Sequence, residues 1–321
     1  MRRIVVMTTG GTIAVKQGPM VGGAVPVLKG DDFLALLPRD EVELVFEEFA
    51  NVPSSHFTPA RALELAQRIE LLLMAPDVDG VVVSHGTDTL EETAYLLDLT
   101  LNSMKPVVVT SSLRPVTSAG YDGIANLSNA IRVAAAPQAR ELGVLVLVDE
   151  QIFAASEVQQ LDSQTVQAFQ APETGPLGRI QGKTLRFAHH PQRRQYIPSS
   201  RLEAGVVLLR LVQGMDDQLL RHCITDQVPG IVLETFGSGR VPPWFMPTLY
   251  EAAEQRIVLA VTSRCVAGGL GDDYGYVGAY HDLRRLGVLF APHLNGIKTR
   301  IKLMVAMGAA RSRDELRLWF Q

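Results

Sequence analysis

Gly80-Val81-Val82-Val83-Ser84-His85-Gly86-Thr87-Asp88-Thr89-Leu90-Glu91-Glu92-Thr93 compresses a strand, a turn and the start of a helix into one stretch. Residues 80–84 form a short valine-rich run, the pattern of a strand buried on both faces. Gly86 permits a sharp turn. Thr89 and Glu92 stand three apart, as in a capping box, and Leu90, Ala94, Leu97 and Leu101 then repeat at helical period. Similar apolar runs occupy 4–7, 106–110 and 143–148, and Leu63, Ala66, Ile69, Leu72 and Leu73 mark a helix over 60–74. Strand, helix and strand joined by short connections imply a parallel sheet with right-handed crossovers.

Farther along, the texture changes. The segment around His189-His190-Pro191 and Pro198-Ser199-Ser200 is poor in apolar residues and reads as surface linker. Strand patterns resume at 206–212, 230–234 and 257–262, with helical patterns near 216–226, 243–255 and 297–309. The expected architecture is α/β: a larger N-terminal parallel-sheet domain over 1–190, a linker over 191–203, and a smaller C-terminal α/β domain over 204–321.

Composition narrows the function. The 321 residues are 47% apolar and 20% charged, ordinary globular material rather than a disordered chain. A net charge of −4 lacks the basic footprint of a nucleic-acid binder. No run approaches the ~20 apolar residues of a membrane span. After Met1-Arg2-Arg3 only residues 4–7 are apolar, too short for the ~7–15-residue core of a secretory signal. Cys223 and Cys265 make no disulfide framework. A cytoplasmic protein with no nucleic-acid or membrane partner is expected.

The chemistry concentrates where strands end. The first strand runs into Thr8-Thr9-Gly10-Gly11-Thr12-Ile13, and 80–84 runs into His85-Gly86-Thr87-Asp88-Thr89. Glycine, hydroxyl and carboxylate thus sit where open α/β sheets bind ligands. Backbone N–H groups at the following helix start suit a carboxylate. The sequence has no G-x-G-x-x-G after the first strand, no P-loop, no H-E-x-x-H and no G-x-S-x-G. Neither a metal nor a cofactor is expected.

Thr9-Gly10-Gly11-Thr12-Ile13 and His85 through Thr93 resemble the two signature segments of the bacterial asparaginase/glutaminase family, with matching spacing. Lys105-Pro106-Val107-Val108-Val109-Thr110, Arg114-Pro115, Asp122-Gly123, Asn126-Leu127 and Gly175-Pro176-Leu177-Gly178 extend the resemblance along the chain. It implies a threonine amidohydrolase that needs no cofactor. Thr12 then matches the nucleophile and Thr87 the second catalytic threonine. Asp88, also counted in the catalytic set, matches the aspartate that binds the substrate's α-amino group. Ser54 matches the serine for its α-carboxylate, with Ser55, Gly11 and Gly86 lining the site. The implied substrate is a small amino-acid amide such as L-asparagine, and the implied assembly a homodimer or homotetramer.

Two family features are missing. Residues 14–29 contain no tyrosine, and the activating tyrosine's place falls near Gly22 or Gly23. Gln160 stands where the family keeps a lysine; the chain's six lysines, at 16, 29, 105, 183, 298 and 302, lie elsewhere. A threonine hydroxyl needs a neighbouring base, which leaves Asp88, His85 or Asp162, or His281 or Asp282 from a partner chain, as candidates. Three readings follow: hydrolysis of an asparagine-like amide, hydrolysis of a larger substrate in a more open pocket, or binding of an amino acid without catalysis.

Overall fold

The computed structural model describes residues 1–11, 15–17, 24–26, 42–192, 194–271 and 274–321. The chain divides into two compact units, Met1–Tyr196 and Ile197–Gln321. In chain order the strands are β1 (Arg2–Gly10), β2 (Val15–Gln17), β3 (Ala24–Pro26), β4 (Val42–Val52), β5 (Gly80–Ser84), β6 (Val107–Thr110), β7 (Val144–Val148), β8 (Gln151–Ala154), β9 (Gln159–Gln160), β10 (Phe169–Gln170), β11 (Gly178–Gln181), β12 (Thr184–Phe187), β13 (Val207–Arg210), β14 (Gly230–Thr235), β15 (Val258–Ser263) and β16 (Leu289–Phe290).

The first unit is built on a sheet of order β12-β11-β8-β7-β6-β5-β1-β4. Five strands, β4-β1-β5-β6-β7, are parallel. The remaining three extend the sheet in antiparallel fashion. The parallel-rich α/β class expected from sequence is what the chain forms, with this antiparallel wing added. β8, β11 and β12 are four residues each, too short for their period to stand out against loop sequence.

Apolar residues alternate between the two faces of the central strands. Ile4, Val6, Val82, Val108, Leu145 and Leu147 are fully buried on one face. Leu127, Ala130, Ile131 and Ala134 of the helix Gly123–Ala134 cover them. At ~25 cal/mol per Å² of apolar surface, this face stabilises the unit together with the opposite one, where Val5, Met7, Val81 and Val83 are equally buried. The helix Pro59–Met74 opens with Pro59 in its first turn, and Thr58 caps it by accepting from Arg61 N at 3.3 Å. It packs against the helix Leu90–Thr100.

That second helix begins differently from the expectation. Thr89 makes no side-chain cap bond; its hydroxyl donates to the Ser54 carbonyl at 2.9 Å. The capping-box reading is therefore corrected. The hydroxyl is turned toward a tertiary carbonyl acceptor instead of the local backbone N–H donors, and Thr89 ties two loops together.

β4 is the element that decides where a site can lie. It is an edge strand carrying Glu43, Glu47 and Glu48, charges that blunt an edge against further pairing. Arg68 clamps Glu47 through two bonds of 2.7 and 2.8 Å. Because β4 follows β1 in sequence but lies on its far side from β5, the parallel strands run second, first, third, fourth, fifth. The order reverses between β1 and β5, and ligands of open α/β sheets bind at the carboxyl ends of strands at such a reversal.

The second unit carries a four-stranded parallel sheet in simple order, β13-β14-β15-β16. Ile231, Leu233, Leu259 and Val261 pack there with Leu220, Phe245, Leu249 and Leu283. Its longest helix, Gly296–Ala309, is capped by Asn295, which accepts from Lys298 N at 2.9 Å. Among the described residues, no helix is long and apolar enough to cross a membrane.

Candidate active site

Two glycines end β1 in conformations that L side chains rarely adopt, Gly10 at φ 100° and Gly11 at φ 80°. Just before them the β1–β4 register jumps from Thr8↔Glu48 to Gly10↔Val52, a bulge in β4 that bends the ladder. A Cβ on Gly11 would lie 2.3 Å from Gly86 Cα and 2.4 Å from Gly86 N. The end of β1 therefore rests directly on the turn after β5. Thr9 Oγ1 reinforces this contact by donating to the Ser84 carbonyl at 3.0 Å.

Ser54 closes the third side. It begins the 3₁₀ turn Ser54–His56 that follows β4, and it is buried. A Cβ on Gly86 would lie 2.4 Å from Ser54 Oγ. That oxygen accepts from Asp88 N at 3.2 Å and keeps its own proton to donate. Ser55 beside it is exposed. Thr87 is half-buried at the start of the 3₁₀ turn Thr87–Thr89, and the Asp88 side chain is exposed. Gly11, Ser54, Gly86, Thr87 and Asp88 are thus brought together at the switch point. Thr12 lies outside the described residues, as do Gly22 and Gly23.

His85 is fully buried beneath this cluster. Its Nδ1 lies 2.8 Å from the Gly86 carbonyl oxygen and its Nε2 lies 3.2 Å from Thr93 Oγ1. The Phe57 ring stands edge-on to it at 4.9 Å. Burial lowers its pKa to about 4, so it is neutral at pH 7. With both nitrogens engaged, by Gly86 and Thr93, it is not free to act as a base for Thr87.

Asp162 is exposed and accepts from Gln164 N at 2.6 Å and Thr165 N at 3.0 Å, bonds that lower its pKa. Gln160 pairs with Phe169 in the β9–β10 ladder and donates from Nε2 to the Asp162 carbonyl at 3.2 Å. Both residues serve their own hairpin. In the second unit, Asp282 accepts from Gly278 N at 3.0 Å.

Sequence reasoning did not single out the loop after β6 as part of this edge. Asp122 accepts from Ser112 Oγ at 2.7 Å, Leu113 N at 3.0 Å, Arg114 N at 3.0 Å and Asn126 Nδ2 at 3.2 Å. Asn126 also donates to the Ser111 carbonyl at 2.9 Å and accepts from Asp149 N at 3.1 Å. One carboxylate and one amide thus pin the loops after β6 and β7 beside the Gly86 turn. The quoted pairs Asp122-Gly123 and Asn126-Leu127 were the available signal. Among the described residues, no group of three His, Cys, Asp or Glu side chains is placed to hold a metal ion.

Residues 3–193 match the family described as Asparaginase, N-terminal, and residues 205–320 match the Glutaminase/Asparaginase C-terminal domain. The chain belongs to the asparaginase family. The L-asparaginase of Bacillus licheniformis is 33% identical over 313 residues, covering 96% of this chain and 96% of that protein. The probable L-asparaginase of Deinococcus radiodurans is 35% identical over 322 residues, covering 99% and 97%. A crystal structure of a probable cytoplasmic L-asparaginase from Campylobacter jejuni superposes with a TM-score of 0.90 at 30% identity, covering 100% of this chain and 99% of its own. This member of the asparaginase family is an asparaginase-like amidohydrolase.

Proposed function

We propose that this asparaginase-family chain hydrolyses the side-chain amide of L-asparagine, or of a closely related amino acid, to aspartate and ammonia. The observation that carries the reading is the contact of Gly11 with Gly86. It puts the end of β1, one residue before Thr12, against the turn that presents Thr87 and Asp88. In this reading the Ser54 hydroxyl binds the α-carboxylate, with Ser55 beside it, and Asp88 binds the α-ammonium. Thr12 Oγ attacks the side-chain carbonyl carbon, and the C–N bond breaks as ammonia leaves with a proton. Water then cleaves the acyl-enzyme ester while Thr87 orients the water or the amide. Backbone N–H groups stabilise the oxyanion, each worth ~10²–10³ in rate.

His85 and Asp162 are engaged elsewhere. Activation of Thr12 therefore falls to another group, with His281 or Asp282 of a second copy as the candidates, Asp282 at the oxygen that does not accept from Gly278 N. A cytoplasmic homodimer or homotetramer acting on a small amino-acid amide fits this reading. Light scattering that gives a fully active monomer at micromolar concentration overturns the assembly.

The experiment measures ammonia release from both enantiomers of asparagine and glutamine and from asparaginyl peptides, alongside calorimetry with aspartate. Turnover of a free amino acid supports the reading. Turnover of peptides alone favours a larger substrate, and binding without turnover favours an amino-acid-binding homologue. Asp88→Ala is expected to weaken aspartate binding, because the α-ammonium of the ligand loses its counter-charge. Unchanged affinity refutes the assignment. Trapping the acyl-enzyme on the peptide containing Thr87, and not on that containing Thr12, reverses the two threonines.

A further inference from the structure

Three elements of the first unit meet at one imidazole: the turn after β5 through Gly86, the helix Leu90–Thr100 through Thr93, and the turn after β4 through Phe57. The hydrogen-bond partners decide the tautomer. A carbonyl oxygen only accepts, so the 2.8 Å contact with Gly86 requires the proton on Nδ1. The other nitrogen then carries a lone pair, and Thr93 Oγ1 donates to it across 3.2 Å. Depression of the pKa to about 4 by burial agrees with a neutral ring.

The Gly86 carbonyl belongs to the same peptide group as the Thr87 N–H. A bond to that oxygen fixes the peptide plane, and with it the direction of Thr87. It also polarises the group, making Thr87 N–H a stronger donor. The bond acts together with the close packing of Gly86 against Gly11 and Ser54, which leaves no room for a side chain there.

We infer that His85 is a positioning residue for the amide hydrolysis, clamping the Gly86 carbonyl through Nδ1–H while Thr93 holds the ring in that tautomer. The inference rests on the reading above that Thr87 acts in the reaction. Phe57 fixes the ring edge, so the clamp also ties the Thr87 turn to the turn that carries Ser54.

Two near-isosteric variants separate the roles of the ring nitrogens. In His85→Asn the side-chain amide nitrogen sits near the Nδ1 position and retains the bond to Gly86. In His85→Gln it sits near the Nε2 position and loses that bond while remaining next to Thr93. A displacement of ~1 Å in a catalytic group costs about 10²-fold in rate. His85→Gln is therefore expected to lose about 10²-fold in kcat per titrated active site with little change in KM, while His85→Asn stays near wild type. Thr93→Val lowers kcat in the wild-type background and adds nothing to His85→Asn, which makes no bond to Thr93.

A role confined to stability predicts instead that both variants lower Tm while kcat per folded site is unchanged, and that result overturns the inference. Equal losses in Asn and Gln variants also overturn it. Nitrogen-15 chemical shifts of the His85 ring at neutral pH give an independent readout of the clamp. A protonated Nδ1 and bare Nε2 support it; the opposite tautomer refutes it whatever the turnover. A wild-type enzyme that releases no ammonia from any amide refutes the functional reading instead, and the ring shifts still decide the clamp.

Discussion

Gly11→Ala probes the contact on which the site depends. The new Cβ would sit 2.3 Å from Gly86 Cα, 2.4 Å from Gly86 N and 3.0 Å from His85 C, all backbone atoms. Carbon atoms pack at ~3.5–4.0 Å, so the two segments would have to part by more than ~1 Å. Overpacking of this kind costs ~1–3 kcal/mol. At φ 80° an L side chain adds strain, of ~1–2 kcal/mol. The expected loss is therefore ~2–5 kcal/mol, which lowers Tm by roughly 5–15 °C for a unit of this size.

Gly86→Ala is the internal control. Its φ of −85° is ordinary, and the atoms it meets first belong to the Ser54 side chain, at 2.4 and 2.7 Å. Rotation of Ser54 moves Oγ away at the cost of its bond from Asp88 N, ~1 kcal/mol. A small backbone shift must relieve the 2.7 Å contact with Ser54 Cβ, but no positive-φ strain is added. Gly86→Ala should thus be the milder change in stability, yet it should weaken aspartate binding by displacing Ser54. Differential scanning calorimetry gives the first quantity and titration calorimetry the second. A Gly11→Ala variant that melts within ~1 °C of wild type and hydrolyses amide at the wild-type rate would falsify the claim that these loops are held in contact.

Asp122→Ala removes the acceptor of four hydrogen bonds, and of their donors Ser112 Oγ alone can turn wholly to the Arg114 carbonyl. Bonds to charged groups contribute ~1.5–3 kcal/mol each before rearrangement and rehydration. Urea unfolding should show a loss of at least ~2 kcal/mol, with Asp122→Asn intermediate, and equal stability of all three proteins would refute the knot. Lys302 concerns the second unit, where its ammonium lies 4.7 Å from the Phe320 ring and burial lowers its pKa from 10.5 to about 8. The unfolded chain then binds this proton more tightly, so the unfolding free energy rises with pH between about 8 and 10.5. Subtracting the curve of Lys302→Met should isolate that rise, and a difference that stays flat across the window removes the burial effect.

Local patterns carried much of this protein. Valine runs at 80–84 and 107–110 and the helical period of 60–74 are visible because their burial is complete or one-sided, which imprints a regular spacing on the chain. The glycine–threonine turns at Gly10-Gly11-Thr12 and Gly86-Thr87-Asp88 are equally legible, since positive φ and close backbone approach restrict the residue types. Their pairing was sufficient to identify the family.

Other features arise only when distant segments meet. β4 offers no fully buried apolar run, because one of its edges faces solvent and each of its residues keeps part of its surface exposed. Yet its position beside β1 reverses the strand order and makes the switch point where the site lies. Thr89 looked like a helix cap, but whether its hydroxyl turns inward or across to Ser54 depends on a loop 35 residues away. Ser54, Gly86 and Gly11 likewise interlock across three chain segments. Sequence determined the turns and the buried faces because those preferences act within a few residues. Tertiary structure decided the strand order and the hydrogen-bond partners, because each depends on which remote backbone arrives to compete for the same donor or the same space.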